Sequence, residues 1–338
     1  MSVKKKKQVT ISMLAEFAGV SRVAVYAAMN PEKKTTVSLS GKTREKILSA
    51  AKELGYVPND MGRTLVSGRS RNVGLLLQSH DSRMSRRLIF ACGQRFGRAG
   101  YMLIPDTSQN SVEREREILS SFLIKRVDCV IVGWLAYEKN CDLLEQFDRC
   151  GIPMIHLQSH SSEYARSATI AFDEAAVMEL LCDFLIRRGK KRIGYAGFTD
   201  RCSFASADRF EFLRRAVKKH PELILEPPFY AASAMDCRSH AESLKMLSSR
   251  PDALICFNDQ LAQVMGVELK FAGLDPLHEI TVAGIDGYGD AFDPLLLPSV
   301  RLPVEKLAET AFTIFASEDF HQQIIKISPE MVERGEME

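Results

Sequence analysis

The chain has 338 residues, a formal net charge of +2, and 46% hydrophobic and 26% charged residues. That composition suits two or three folded cores and excludes a disordered or collagen-like chain. No apolar run approaches the ~20 residues of a membrane helix, and no apolar h-region follows Lys4–Lys7, which argues against a secretory signal.

Eight Cys are scattered without a CxxC pair. This is the pattern of reduced cytoplasmic thiols rather than of a disulfide framework or zinc knuckle. Charge is unevenly placed. Residues 1–71 hold 14 Lys/Arg against 5 Asp/Glu, whereas the remainder holds 31 against 38. A small basic head on a mildly acidic body suits a phosphate-binding module joined to something else. A solvated basic tail would carry the same signature.

In the first predicted helix, Ile11, Leu14, Ala15 and Ala18 recur at helical spacing. Gly19 stops it where a left-handed residue is cheap, and Ser21 is a good N-cap for a second short helix. Two short helices around a Gly-containing turn make a helix-turn-helix pattern, which an ordinary amphipathic hairpin shares. On a wheel of about 100° per residue, Ala24, Val25, Ala28 and Met29 fall on one side. Arg22, Val23, Tyr26, Ala27 and Asn30 fall on the other and are predicted to face outward. Their cationic, phenolic and amide groups are of the kinds that reach base edges or phosphates in a major groove.

A third helix is predicted from about Ser40 to Leu54, lined by Lys42, Arg44, Lys46 and Lys52 and ended by Gly55. Its Ile47, Leu48 and Ala51 close a three-helix core. Gly41-Lys42-Thr43 is not a phosphate loop, because Thr36 stands where that motif needs Gly and no strand precedes it. Pro58 and Asn59 open a further stretch of about two helical turns to Val66, before a linker at Gly68–Arg71. So short a helix is marginal alone and suits one that forms against DNA or a partner.

From Asn72 onward, apolar runs alternate with amphipathic stretches. The predicted strands are Val73–Leu77, Tyr101–Ile104, Cys129–Val132, Met154–Leu157, Thr169–Phe172, Ile193–Ala196, Ala253–Phe257 and Ile280–Ile285. The predicted helices are Arg86–Arg98, Val112–Lys125, Ala175–Arg188, Arg209–Lys219, Arg238–Leu247, Gln260–Phe271 and Val304–Ala316. Alternating βα units with continuous apolar strands argue for parallel sheets covered on both faces. Their length favours two α/β lobes.

The head resembles that of the lactose-repressor (LacI/GalR) family. The matching stretches are Ala18-Gly19-Val20-Ser21, Asn30, Lys42-Thr43-Arg44-Glu45-Lys46, Leu54-Gly55-Tyr56, Pro58-Asn59, Leu65 and Ser67-Gly68-Arg69-Ser70. The resemblance implies a dimer whose hinge helices enter the minor groove, with Leu65 as the apolar wedge that unstacks a base step. It implies DNA contacts at Arg22, Val23, Tyr26, Ala27 and Asn30, and at Asn59, Gly62, Arg63 and Leu65 in the hinge. The chain departs from the family's usual Thr, Ser and Arg at Ala24, Tyr26 and Ala27, and it carries a loop insertion from Pro31 to Val37. The family's usual operator sequence is therefore not expected.

The body resembles the family's periplasmic-binding-protein-like domain. The resemblance rests on Gly100-Tyr101, Gly151-Ile152-Pro153, Arg188-Gly189, Arg192-Ile193-Gly194, Asn258-Asp259 and Val282-Ala283-Gly284-Ile285-Asp286. Two such lobes clamp a small molecule between strand ends. The candidate effector residues are Gln78 and Ser82 after the first strand, Trp134, Gln158, Arg209 at a helix start, Asn258, and Asp286 at a strand end. The family implies that the Arg and Asp hold ligand hydroxyls or a carboxylate. Asp259 reads as the cap of the Gln260 helix. Trp134 suits either a sugar-stacking ring or a partly buried core ring. Gln158 stands where the family commonly has Asp, and Phe212 where it commonly has Gly.

The fold expected is a small all-α helix-turn-helix head of three helices plus a hinge helix, followed by an α/β two-lobed, type I periplasmic-binding-protein-like domain with parallel sheets. The boundaries expected are 1–58 for the head, 59–71 for hinge and linker, and 72–338 for the body. Lobe 1 would hold about 72–160 plus 300–320, and lobe 2 about 165–298 plus 323–338. The function expected is a cytoplasmic, homodimeric DNA-binding regulator, a repressor more than an activator. Its partners would be a near-palindromic duplex operator and a small effector such as a sugar, with no cofactor and no membrane. The alternative is a cytoplasmic ligand-binding protein or enzyme with a vestigial head. No GxGxxG, phosphate loop or GxSxG elbow supports an enzyme. His156 and His160 lie four apart without sharing a helix.

Overall fold

A computed structural model describes residues 9–29, 37–57, 68–79, 82–133, 135–158, 164–199, 203–287, 289, 293–320 and 324–333. The chain divides into two compact units, residues 1–70 and 71–338.

The head is built from α1 (Ile11–Ala18), α2 (Arg22–Met29) and α3 (Gly41–Leu54). Each start is capped by a side-chain oxygen. Thr10 accepts from the Met13 amide, Ser21 from Ala24, and Ser40 from Thr43. Such caps satisfy amides that the helix leaves unpaired. Gly19 ends α1 at φ +62, a conformation that costs a side chain about 1–2 kcal/mol. The chain thereby turns sharply, and α1 and α2 meet at 103°. The core between the three helices is small and alanine-rich. Leu14, Val25 and Ile47 are fully buried within it.

The body opens with β1 (Asn72–Leu77), α4 (Arg83–Arg98), β2 (Met102–Thr107), α5 (Val112–Lys125), β3 (Cys129–Gly133), α6 (Tyr137–Arg149), β4 (Met154–Leu157) and β5 (Ser167–Phe172). It continues with α7 (Glu174–Arg187), β6 (Arg192–Phe198), α8 (Ser203–Val217), β7 (Ile224–Leu225), β8 (Phe229–Ala231), α9 (Ala234–Met246) and β9 (Ala253–Cys256). The last elements are α10 (Asp259–Phe271), β10 (Thr281–Asp286), β11 (Ser299–Arg301), α11 (Val304–Ser317), β12 (Ile324–Ile327) and β13 (Glu330–Val332).

Two sheets result. The first has the order β12-β5-β4-β3-β1-β2, all parallel. The second has the order β13-β11-β10-β9-β6-β7, with β8 also on β6 and only β13 antiparallel. Successive strand residues face opposite layers. Leu75 and Leu77 join the large core that spans both sheets, while Leu76 faces Phe122 and Leu144 on the outer side. Both faces of the central strands are covered, so β3, β4, β9 and β10 are buried along their whole length.

The expected lobe division is corrected by the strand pairing. Strand β5 joins the first sheet between β4 and β12, so 167–172 and 324–327 lie with lobe 1. Strand β11 pairs with β10, so 299–301 lie with lobe 2. The chain passes between the sheets after β5, after β11 and after β12. Sequence order hides this, because a parallel strand is recruited by its neighbours and not by its position along the chain. Helix α6 was not anticipated either. Its N-cap position, Ala136, makes no side-chain cap bond, so the sequence carries no start signal there.

Buried on β4, His156 shares a 2.7 Å hydrogen bond with the Tyr137 hydroxyl, and its Nε2 has no partner among the described residues. Burial pushes its pKa down to about 4. A base depressed in the folded state is stabilising above its unfolded pKa near 6.5, and that stability is lost as pH falls toward 4. At pH 5 the expected loss is about 2 kcal/mol relative to His156→Gln, which lacks the titration. Urea unfolding of both proteins at pH 7.5 and pH 5 checks it. Parallel pH responses would contradict a buried, neutral His156.

Candidate functional site

The outward face of α2 carries Arg22 and Val23, both exposed, and Tyr26, which is half-buried. Ala27 does not belong to that face. It is only 8% exposed and is a correction to the sequence reading. The buried stripe of α2 is wide because α1 and α3 both pack on it, and a methyl group at its border is covered by larger neighbours. Lys42, Lys46 and Lys52 on α3 are exposed. Of the other expected DNA contacts, Asn30, Asn59, Gly62, Arg63 and Leu65 lie outside the described residues.

The strand ends of lobe 2 build a second constellation. Asp286 ends β10, fully enclosed, with φ +126. A non-glycine residue there stores strain of roughly 1–3 kcal/mol. Gly287 follows at φ +74, and its amide donates to the Asp259 carboxylate and to Ser299 Oγ, both at 3.0 Å. The Ser299 hydroxyl in turn donates to Asp259. Burial, and next the charge of Asp259, push the Asp286 carboxyl up to about 8, while Arg209 pulls the other way.

Arg209 is 7% exposed and sits within α8 rather than at its start, because the helix begins at Ser203. Its guanidinium makes a bidentate pair with Glu174, at 2.9 and 3.0 Å, and donates to the Phe257 carbonyl at 2.6 Å. It also lies 4.6 Å from the centre of the Phe257 ring. Burial opposes its charge most, yet the charge and hydrogen bonds of Glu174 outweigh burial and hold its pKa above the ordinary value.

On the lobe 1 side, Ser82 caps α4 by accepting from the Ser85 amide at 3.0 Å. The next residue, Arg83, crosses to lobe 2 and donates to Asp293 at 2.9 Å. Gln158 has φ +62 and accepts from the Phe172 amide at 2.6 Å, bracing β4 against β5. Gln78 is half-buried at the end of β1. Asn258, not Asp259, caps α10, accepting from Leu261 at 2.9 Å. Asp259 instead holds the turn at Gly287. The shift of one residue comes from the extended backbone of Asn258.

The structure thus brings Arg209 and Asp286 together and gives Ser82, Gln158 and Asn258 local bracing roles. Trp134 lies outside the described residues. Sequence reasoning missed Glu174, Arg83, Asp293 and Ser299, which are distant from their partners along the chain and carry no local motif. A cavity of about 180 Å³ lies elsewhere in lobe 2, among Phe198, Ala231, Cys237 and Leu261, and none of the candidate residues lines it.

The chain as a whole is similar to several known proteins. A profile for the periplasmic binding protein-like domain matches residues 182–335. The HTH-type transcriptional repressor PurR of Vibrio atlanticus (strain LGP32) is 26% identical over 339 residues, covering 96% of this chain and 98% of that protein. Among solved structures, the lac repressor dimer bound to operator and the anti-inducer ONPF superposes with a TM-score of 0.82 at 22% identity, covering 97% of this chain and 98% of that one. A transcriptional regulator CelR–cellobiose complex gives a TM-score of 0.63 at 19% identity, covering 97% and 99%.

Fold and matches define the class: a periplasmic-binding-protein-like α/β body of two lobes in one chain with a helix-turn-helix head. These similarities agree with the LacI/GalR resemblance read from the sequence. The curated relatives matched over nearly the whole chain are regulators, not enzymes. Among the described residues no single helix is long and apolar enough to cross a membrane.

Proposed function

We propose that this chain is a DNA-binding transcription regulator, acting as a repressor in the cytoplasm. It binds a near-palindromic operator as a homodimer and responds to a small molecule of the sugar class. One observation carries the reading. A capped helix-turn-helix unit with Arg22 and Val23 exposed on its second helix shares a chain with a two-sheet body that buries Arg209 and Asp286 near its strand ends. A small-molecule site explains the strain and buried charge at Asp286 and Arg209, and a groove-reading helix explains the head's basic excess.

Arg22, Val23 and Tyr26 would meet the major groove, with Asn30 beside them. Asn59, Gly62, Arg63 and Leu65 would enter the minor groove. Effector bound at Arg209 and Asp286, with Gln78 and Trp134 from lobe 1, would change the angle between lobes about the three crossings that join the sheets. Residues 59–71 would transmit that change to the head. Such coupling is reciprocal: DNA would alter effector affinity by the same factor.

Selection of bound sequences from a random duplex pool, at near-physiological salt, tests the reading. A two-fold symmetric site is the expected result. Binding without any consensus, with and without a panel of sugars, would sink it. On the selected site, Arg22→Ala should weaken binding by about ten-fold. If Arg22 meets a phosphate, the salt slope should also fall by about one. Fluorescence anisotropy across a salt series reads both.

A further inference from the structure

Arg209 presents the planar fork that normally receives a carboxylate from outside. Here the fork is already filled. Both of its parallel bonds go to Glu174, and its remaining terminal nitrogen donates to Phe257. The pair is well enclosed, with side-chain exposures of 8% for Arg209 and 19% for Glu174. A second guanidinium, that of Arg83, is matched in the same way by Asp293, whose side chain is 4% exposed.

What remains facing these pairs is acidic. Asp286 accepts no side-chain hydrogen bond that the described residues supply, and it feels Asp259 and Glu174 as well as the two arginines. Among the described residues, two guanidinium groups thus stand with four carboxyl groups: Glu174, Asp259, Asp286 and Asp293. An incoming carboxylate or phosphate would have to displace Glu174 and leave it buried without a partner. It would also meet the Asp259 carboxylate beside Asp286. A hydroxyl group meets neither obstacle and can donate to Asp286.

We propose that Glu174 is a specificity residue: an internal counter-ion that closes the Arg209 fork to anions, so that the effector is an uncharged polyol and not a sugar acid or sugar phosphate. This rests on the regulator reading only for the word effector; the closure of the fork is a property of the chain itself.

The test uses the full chain with sodium acetate as probe and sodium chloride of equal ionic strength as reference, read by thermal unfolding. The wild-type midpoint should respond alike to both salts. In Glu174→Ala the vacated fork should take acetate, giving a saturable, acetate-specific rise of about 5 °C at a hundred-fold excess over its dissociation constant. A Glu174→Ala chain that folds only in acetate would be the same result in stronger form. Should it fold in neither salt, Glu174→Gln keeps the shape, leaves the Arg209 charge uncompensated, and should show a smaller acetate-specific rise.

An acetate-specific rise in the wild type would overturn the proposal, because the fork would then be open with Glu174 in place. So would the absence of a rise in the folded variants, or a rise that persists in Glu174→Ala/Arg209→Met. Operator binding by the unmodified chain is measured separately. Its loss would remove the regulator reading and leave the acetate result standing. An acetate failure with operator binding intact would remove only the role given to Glu174.

Discussion

Gly287→Ala is expected to cost more than about 4 kcal/mol of stability, enough to leave the body largely unfolded at moderate temperature. Two effects combine. The backbone there has φ +74, which costs a side chain about 1–2 kcal/mol. An added Cβ would also overlap the Arg301 backbone, lying 2.6 Å from its amide nitrogen. Arg301 is paired with Asp286 in the β10–β11 ladder, so relief requires strand separation. The strained Asp286 carboxyl would lose its position along with the turn. Gly41→Ala is the control, since nothing lies within 4 Å of a Cβ added there. It should be neutral, or stabilising by up to about 1 kcal/mol. Urea unfolding of both variants decides. A loss under about 1 kcal/mol at Gly287 would mean that the turn is not as tight as described.

The second large effect is the pH dependence contributed by Asp286. Its carboxyl is raised to about 8 in the folded chain, against about 3.9 when unfolded. Between those values the folded state holds a proton that the unfolded state has released. Stability therefore falls as pH rises through that window and levels off above about 8. This is opposite in sign to the His156 contribution, which is lost on acidification. Asp286→Asn removes the titration. The variant should gain on the wild type by a few kcal/mol between pH 5 and pH 9, with little difference in pH dependence below pH 4. Chemical unfolding at four or five pH values reads the difference. A constant offset across the range would mean that Asp286 is ionised throughout, solvated or paired in a way that the buried site does not provide.

The raised Asp286 carboxyl also suits a binding role. A carboxyl that straddles protonation near neutral pH can accept or donate to a ligand hydroxyl. Its strain and burial are maintained by Asp259 and Ser299, neither of which needs to touch the ligand.

Local chemistry was legible in the chain. The caps at Ser21 and Ser40 and the stops at Gly19 and Gly55 stand where sequence reasoning puts them, because each acts within four residues of itself. The apolar strands were legible because burial on both faces leaves a continuous run. The register of the α2 wheel held for Arg22, Val23 and Val25 and failed at Ala27, on the border of the stripe; on α3, Leu48, expected in the core, is 45% exposed. By itself, then, the sequence determined the three head helices and the alternating βα order, and the resemblance singled out Arg209 and Asp286, which the body brings close to one another.

Tertiary structure decided the rest. It moved β5 and β12 to the first sheet, since strand partners are chosen by edge pairing across the body. It recruited Asn258 as the cap and freed Asp259 for the Gly287 amide, a choice between adjacent oxygens that only the path of β10 settles. It also set Glu174 on Arg209 across 35 residues of chain. Charges so far apart in sequence meet because two helices pack, and no periodicity in the sequence records it.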